Sequence, residues 1–385
     1  MQIALEEVLE DYLRFKNENI SGRYVPYTKI EEELKNLSPY FNLQIEGKSL
    51  AGRNIYSLNF GTGSQKVMAW SQMHGNETTT TKALFDFFNF MASNHALANS
   101  LQKELTFKII PVLNPDGAVA YTRLNANHVD LNRDSVELSQ PESKLLRFFF
   151  ESFSPDLCLN LHGQRTIFSA GKSPFTSALS FLSPAVDESC KLTDVRKQSM
   201  RLINAIYQQL QKDLPHQIGR YDDTYNINCI GDYMQTQGVP TILFEAGHLN
   251  DYQREDTREM IWKSYLVVLN ALRSQDHENT SWNSYFEIPL NQKKFFDIIL
   301  RNCLFGDSIS DIAIQYEEIL MNDEIRFVPM VHKINDLNDF HGHFEIDLKS
   351  RNIKINGKKL NDPPEINDIW TKIRVENKDI VLEQG

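Results

Sequence analysis

An imidazole and a carboxylate lie three residues apart in the stretch His74-Gly75-Asn76-Glu77, directly after an apolar run at residues 67–70. Such a pair can hold a zinc ion, because histidine nitrogen and carboxylate oxygen are both common zinc ligands. A catalytic zinc site usually takes three protein ligands and leaves a fourth position for water. The pair therefore requires a third ligand, and His162, which follows the largely apolar run of residues 157–161, is the best candidate.

Another carboxylate, Glu245, comes directly after the uncharged run of residues 240–244. An unpaired charge at the end of a buried strand is costly, so a carboxylate in that place needs a reason. A general base in a hydrolytic site is one such reason, because it must hold and release a proton near neutral pH. A surface glutamate just past the strand is the alternative interpretation.

Short apolar segments alternate with helical periodicity along the first 275 residues, which predicts an α/β fold with helices on both faces of a mixed, largely parallel central sheet. A helix is predicted to begin at Thr28, with Glu31 completing a capping box. Ligands of such sheets bind beyond the carboxyl ends of the strands, where the polar motifs of this chain fall. The predicted strands cover residues 41–45, 54–60, 67–70, 107–113, 157–161 and 241–244, and the later helices cover residues 80–92, 142–153, 195–214 and 254–272.

Residues 274–280 are polar and typical of a linker, and the segment that follows has the alternating pattern of β-strands. Asn356-Gly357 is a strong signal for a hairpin turn. We therefore expect a catalytic domain over residues 1–275 and a smaller β-rich accessory domain over residues 285–385.

Charge and hydropathy exclude several classes of partner. The formal net charge of -11 argues against a nucleic-acid or anionic-membrane partner, because both require a surplus of Lys and Arg. No apolar stretch approaches the roughly 20 residues needed to span a bilayer. The N-terminus lacks the pattern of a secretory signal and the four cysteines are scattered, which together favour a cytoplasmic protein with free thiols.

The polar motifs occur in a fixed order that resembles the zinc metallocarboxypeptidases, the carboxypeptidase A-like enzymes. The likeness covers roughly residues 50–250, and its motifs are specific only in combination. They are His74-x-x-Glu77, Asn114-Pro115-Asp116-Gly117, Arg123, Asp130-Leu131-Asn132-Arg133, His162 and Phe244-Glu245.

The resemblance implies a hydrolase that removes a C-terminal residue from peptides, with one Zn²⁺ per chain held by His74, Glu77 and His162. Glu245 then takes the proton from the zinc-activated water as general base. Arg123 corresponds to the arginine that stabilises the developing oxyanion. These roles suit the chemistry of the residues.

Four further residues take roles from the same resemblance. Asp130 would accept a hydrogen bond from a zinc-bound histidine, most plausibly His74. Asn132 and Arg133 would grip the terminal carboxylate of the substrate, a task suited to the planar fork of arginine. Tyr225 is the nearest match to a tyrosine that closes over the substrate, with Tyr221 and Tyr233 as alternatives.

A second interpretation uses the same zinc core. In related amidases and deacylases, which act on N-acyl amino acids or murein peptides, the zinc-binding motif also begins with His-Gly-Asn-Glu. The expected partner of this chain is therefore a peptide or an acyl amino acid with a free carboxylate. A non-catalytic binding module is disfavoured, because no ligand or base is missing. Side-chain specificity, oligomeric state and the role of the accessory domain stay open.

Overall fold

The computed structural model describes residues 5–355, 358–376 and 378–384, which form two compact units. The large unit contains the described residues up to 164 together with residues 177–291. The small unit contains residues 165–176 and the described residues from 292 onward. The predicted division of the chain between residues 275 and 285 stays a prediction, and the predicted turn at Asn356-Gly357 lies outside the described residues.

Regular elements account for most of the chain. The helices are α1 (Leu5–Glu10), α2 (Tyr27–Leu37), α3 (Thr79–Met91), α4 (Ala96–Glu104), α5 (Pro115–Ala120), α6 (Pro141–Phe153), α7 (Asp194–Leu210), α8 (Ile230–Thr236) and α9 (Glu255–Ser274). The strands are β1 (Asn42–Lys48), β2 (Asn54–Gly61), β3 (Gln65–Ser71), β4 (Leu105–Ile110), β5 (Leu157–Gly163), β6 (Phe168–Ala170), β7 (Leu179–Leu182), β8 (Ile218–Arg220), β9 (Thr241–Ala246), β10 (Asn291–Lys293), β11 (Phe295–Phe305), β12 (Ser308–Met321), β13 (Glu324–Asn335), β14 (His341–Ile355), β15 (Lys358–Lys359), β16 (Lys372–Val375) and β17 (Lys378–Val381).

The large unit is built on a mixed sheet with the strand order β1-β2-β4-β3-β5-β9-β7-β8. Its centre is parallel, since β4, β3, β5 and β9 all run the same way. Antiparallel strands flank this centre, with β2 on one side and β7 on the other. The carboxyl ends of β3, β5 and β9 therefore meet at one edge.

Alternation along the central strands divides the core between the two faces of the sheet. In β3, Val67 and Ala69 belong to the hydrophobic cluster that includes buried residues of α3, α7 and α9. Met68 and Trp70 belong to the cluster on the other face, with residues of α6 and α8. Helices on both faces explain why these strands are apolar at successive positions.

The small unit is β-rich, with the strand order β13-β12-β11-β14-β16-β17 and β15 paired to β14. Arg301 of β11 links its two neighbours, because it donates to Asp311 of β12 at 3.0 Å and to both carboxylate oxygens of Glu345 of β14 at 2.9 Å. The predicted fold class is confirmed for both parts of the chain. Among the described residues, no helix combines the length and apolar character needed to cross a membrane.

One local prediction is wrong. Helix α2 begins at Tyr27 after Pro26, and no side chain caps its amino end. The Glu31 carboxylate instead accepts a hydrogen bond from the Tyr56 hydroxyl at 2.9 Å. A tertiary contact has therefore replaced the local capping box that the sequence suggested.

A buried ion pair joins the amino-terminal segment to the last helix of the large unit. Arg258 of α9 contacts both carboxylate oxygens of Asp86 in α3, at 2.5 and 2.7 Å, and both side chains are fully buried. The same guanidinium donates to the backbone oxygens of Asn17 and Ile20. The Tyr12 hydroxyl also donates to Asp86, so removal of one charge leaves several groups without partners.

We predict that Asp86→Asn lowers the free energy of unfolding by about 3–5 kcal/mol, because the buried Arg258 charge then keeps only the more exposed Glu255 carboxylate as an ionic partner. Denaturant unfolding of the purified chain measures this loss. The control is Lys29→Ala, which breaks the exposed Lys29–Glu32 pair and should cost less than about 0.5 kcal/mol. Equal effects of the two substitutions would contradict the assigned role of the buried pair.

Candidate active site

The loop that carries His74 and Glu77 follows β3 and leads into α3. It begins at Gln72, a buried residue with a left-handed φ of 44°. The Gln72 side chain donates to the backbone oxygen of Gly75 at 2.7 Å, and Glu77 N donates to His74 O at 3.2 Å. These bonds close the loop on itself and fix the spacing between its histidine and its glutamate.

A second loop holds the first one in place. The Asn114 side chain accepts from Gly117 N at 2.8 Å and donates to the backbone oxygen of Met73 at 3.2 Å. Asp116 accepts from the Ser49 hydroxyl and from Arg53, both within 2.8 Å. The Asn114-Pro115-Asp116-Gly117 motif thus supports the site through its backbone and capping bonds.

The three predicted ligands converge. His74 Nδ1 lies 2.9 Å from Glu77 Oε1, and His162 Nδ1 lies 2.9 Å from Glu77 Oε2. The two Nδ1 atoms are 3.1 Å apart, and all three side chains are buried. Gly163 N also donates to Glu77 Oε2 at 3.0 Å, which orients the carboxylate.

This donor set fits a zinc ion. Tetrahedral zinc with Zn–N bonds near 2.0–2.1 Å separates two nitrogen ligands by about 3.3 Å, close to the observed separation of the imidazoles. Two nitrogen atoms and a carboxylate are also the ligand types of many catalytic zinc sites. His74, Glu77 and His162 are therefore the residues that would hold the metal.

Electrostatics within the cluster favour the ionised form of Glu77, which is the form that binds a metal. Burial alone would raise the pKa of Glu77, but the adjacent His74 and His162 imidazoles lower it well below its ordinary value. Burial lowers the pKa of His162, which favours the neutral imidazole that a metal requires. Glu77 thus stays ionised beside the two rings.

Asp130 orients the first histidine. Its Oδ1 lies 3.1 Å from His74 Nε2 and accepts from Asn132 N at 2.9 Å, so the same oxygen also caps the short 3₁₀ turn Leu131–Arg133. Its Oδ2 accepts from Arg123 Nε and Nη2 at 3.1 and 3.0 Å. Burial alone would raise the pKa of Asp130, but the bond to His74 and the charges of His74 and Arg123 lower it below its ordinary value.

Glu245 lies on β9 directly opposite His162 of β5 in the parallel register. Paired residues of neighbouring strands point to the same face of the sheet, so the two side chains share one face. Glu245 Oε2 is buried and has no hydrogen-bond partner among the described residues. Burial and the nearby Glu77 carboxylate raise the pKa of Glu245 well above its ordinary value.

The predicted substrate-binding residues lie at the start of α8. Asn132 Oδ1 accepts from Ile230 N at 3.0 Å. The exposed Arg133 donates through Nη1 to Asn132 O at 2.7 Å and to Cys229 Sγ at 3.1 Å. Arg133 is therefore linked to His74 only indirectly, through Asn132 and Asp130.

The three candidate tyrosines lie in different surroundings. Tyr225 makes no hydrogen bond or ring contact within the described part of the chain. Tyr233 packs against Phe150 and Arg147, whose guanidinium lies 3.6 Å from the centre of its ring. Burial and the carboxylates of Glu245 and Glu77 raise the pKa of Tyr221 well above its ordinary value, so Tyr221 is electrostatically linked to the site.

Comparisons with known proteins agree with this geometry. The model of the zinc carboxypeptidase family (Peptidase_M14) matches residues 28–134. The fold is similar to that of a metallo-carboxypeptidase from Burkholderia cenocepacia, with a TM-score of 0.53, 18% identity and coverage of 66% of this chain and 70% of that chain. The predicted resemblance to the zinc carboxypeptidases is confirmed.

Curated relatives are carboxypeptidases as well. The probable carboxypeptidase 2 of Trichophyton verrucosum is 24% identical over 170 residues, which are 44% of this chain and 30% of that protein. The cytosolic carboxypeptidase 6 of Mus musculus is 31% identical over 127 residues, 29% of this chain and 23% of that protein. The chain thus spans less than a third of the length of these relatives.

Gly75 allows the loop that carries His74 and Glu77 to approach the Asn114-Pro115-Asp116-Gly117 loop closely. A Cβ at this position would lie 1.9 Å from the carbonyl carbon of Gly117, so one of the two backbones would have to move.

We predict that Gly75→Ala reduces bound zinc well below one per chain and destabilises the fold by about 1–3 kcal/mol. Metal analysis and denaturant unfolding measure both effects. Gly47→Ala is the control, because its Cβ would meet only the flexible Leu145 side chain at 3.4 Å, and zinc content equal to that of Gly75→Ala would contradict the prediction.

Asp232 of α8 gives a pH prediction. Burial raises the pKa of its carboxyl to about 7, although its Oδ1 accepts from Ala185 N at 3.1 Å. The folded state therefore retains a proton that the unfolded chain releases near pH 4, so the stability from this group falls as the pH rises from about 4 to about 7 and is fully lost above that value.

We predict that Asp232→Asn gains about 2 kcal/mol of stability relative to the original chain between pH 5 and pH 8, because asparagine has no such proton to lose. Denaturant unfolding at the two pH values measures the difference. Asp194→Asn, at a fully exposed position, should show no such pH-dependent gain. A constant difference between Asp232→Asn and the original chain would refute the assignment.

Proposed function

We propose that this chain is a zinc-dependent carboxypeptidase that removes a C-terminal residue from peptides, with one zinc ion per chain. The observation that supports this proposal best is the convergence of His74 Nδ1, the Glu77 carboxylate and His162 Nδ1 on one point, with Glu245 on the same sheet face. When bound, zinc would lower the pKa of a water molecule toward neutrality and polarise the scissile carbonyl.

Glu245 is the proposed general base. Its Oε2 is the buried oxygen that would accept the proton of the attacking water and pass it to the leaving amine. Its place on β9 opposite His162 suits that task, because a general base must lie within reach of the water that it deprotonates. Arg123, which is 45% exposed on its side chain, can turn toward the oxyanion of the substrate while Asp130 holds it.

Arg133 and Asn132 are proposed to bind the terminal carboxylate of the substrate. The Arg133 guanidinium is exposed and contacts no carboxylate among the described residues, so its fork can take a carboxylate ligand. For the tyrosine that covers the substrate we propose Tyr225, with Tyr221 as the alternative, since the carboxylates of Glu245 and Glu77 act on the Tyr221 hydroxyl.

The proposal also covers the domain organisation and the location of the protein. The domain over residues 1–275 would carry the catalysis, and residues 285–385 would form an accessory domain. A cytoplasmic location is supported by the name of the cytosolic carboxypeptidase 6 of Mus musculus. The relatives described above are all named carboxypeptidases, so the comparisons do not favour the deacylase or amidase alternative.

We predict that Glu245→Gln lowers kcat for peptide hydrolysis by about 10²–10⁴-fold while zinc stays bound at one per chain, because the ligands are untouched. Metal analysis and hydrolysis of C-terminally diverse peptides measure the two quantities.

Removal of zinc with a chelator should abolish activity, and added zinc should restore it. Full activity of Glu245→Gln would refute the base assignment, and turnover confined to N-acyl amino acids or murein peptides would support the alternative.

A further inference from the structure

Arg123 contacts the metal-binding cluster in two ways at once. Its Nε and Nη2 both donate to Asp130 Oδ2, at 3.1 and 3.0 Å. Its Nη1 lies 3.2 Å from His74 Nδ1 and 3.5 Å from Glu77 Oε1. The guanidinium thus spans from the residue that orients the first histidine to two of the proposed metal ligands.

The charge of Arg123 bears on what a metal ion would meet at this site. Its guanidinium lies 3.5 Å from the Glu77 carboxylate, a proposed ligand, and 3.0 Å from Asp130, which contacts the proposed ligand His74. Arginine keeps its positive charge at all ordinary pH values. A zinc ion held by His74 and Glu77 would therefore meet a permanent positive charge beside two of its ligands, and like charges repel.

Asp130 transmits a second effect in the same direction. A carboxylate that accepts from the far nitrogen of a ligating histidine raises the basicity of that ligand and strengthens metal binding. Here the other oxygen of that carboxylate is bound to the Arg123 guanidinium. The positive charge offsets part of the negative charge that Asp130 would otherwise offer to His74, and it also repels a nearby cation.

We infer that Arg123 lowers the zinc affinity of this site. This inference rests on the proposed zinc-dependent function. Nε and Nη2 hold the guanidinium on Asp130, so its positive charge stays beside His74 and Glu77. Arg123 would therefore weaken metal binding as well as serve as a candidate oxyanion donor.

The test is the zinc dissociation constant of the full chain, measured by competition with a chromophoric chelator at fixed pH and ionic strength. We expect Arg123→Ala to lower this constant by about tenfold, the lower end of the effect of residues that surround metal ligands. Arg123→Lys should lie between Arg123→Ala and the original chain, because it keeps the charge but cannot span both contacts. Asp130 should keep its position in these variants through its bond to Asn132 N.

Arg133→Ala is the matched control. It removes the same charge from the same region, but the Arg133 guanidinium contacts Asn132 O and Cys229 Sγ and no ligand. Its zinc dissociation constant should stay within about twofold of the original value. A merely structural role of Arg123 predicts the opposite sign, so zinc binding in Arg123→Ala that is unchanged or weaker would overturn the inference.

The result also separates this inference from the proposed function. An original chain that binds no zinc would overturn both. An original chain that binds zinc while Arg123→Ala binds it no more tightly would overturn only the inference. Tighter zinc binding in Arg123→Ala, with Glu245→Gln fully active, would support the inference and refute the catalytic role of Glu245.

Discussion

The parallel pairing of β3, β5 and β9 is the constraint on which the site depends. Because these strands run the same way, the loop after β3, the end of β5 and the end of β9 meet at one edge of the sheet. His74 and Glu77, His162 and Glu245 come from these three places, although up to 171 positions separate them in the chain. The buried apolar strands thus bring together polar groups that no local structure could hold.

The residues that contact the proposed ligands or their loops explain why the ligands keep their geometry. The close approach of Gly75 and Gly117 lets the Asn114 side chain reach the loop after β3. Asp130 both caps a short turn and orients His74 through one oxygen. One carboxylate oxygen of Asp130 therefore holds both the turn and the His74 ring in place.

Periodicity and motif order were sufficient to predict the fold class, and three residues that the motifs single out, His74, Glu77 and His162, lie together in the structure. These patterns could not predict the contacts between distant segments of the chain. Nothing in the sequence indicates that Glu31 bonds Tyr56 rather than the start of α2, or that Gln72 adopts a left-handed conformation. The sequence favours Tyr225, with Tyr221 and Tyr233 as alternatives, and it could not show that the carboxylates of Glu245 and Glu77 act on Tyr221, because only the folded chain brings them near it. The segment of residues 165–176 likewise carries no compositional sign that it belongs to the small unit.

The bond between Arg258 and the segment around Asn17 and Ile20 has a consequence for synthesis of the chain. Each of these contacts joins residues more than 230 positions apart. A growing chain presents the amino-terminal segment and Asp86 long before α9 exists, so the charge of Asp86 must remain hydrated or find a temporary partner until Arg258 emerges. The large unit therefore closes late, after all the proposed zinc ligands and Glu245 have been made. A nascent chain that stops before α9 leaves both charges of α3, Asp86 and Lys82, without their partners Arg258 and Glu255.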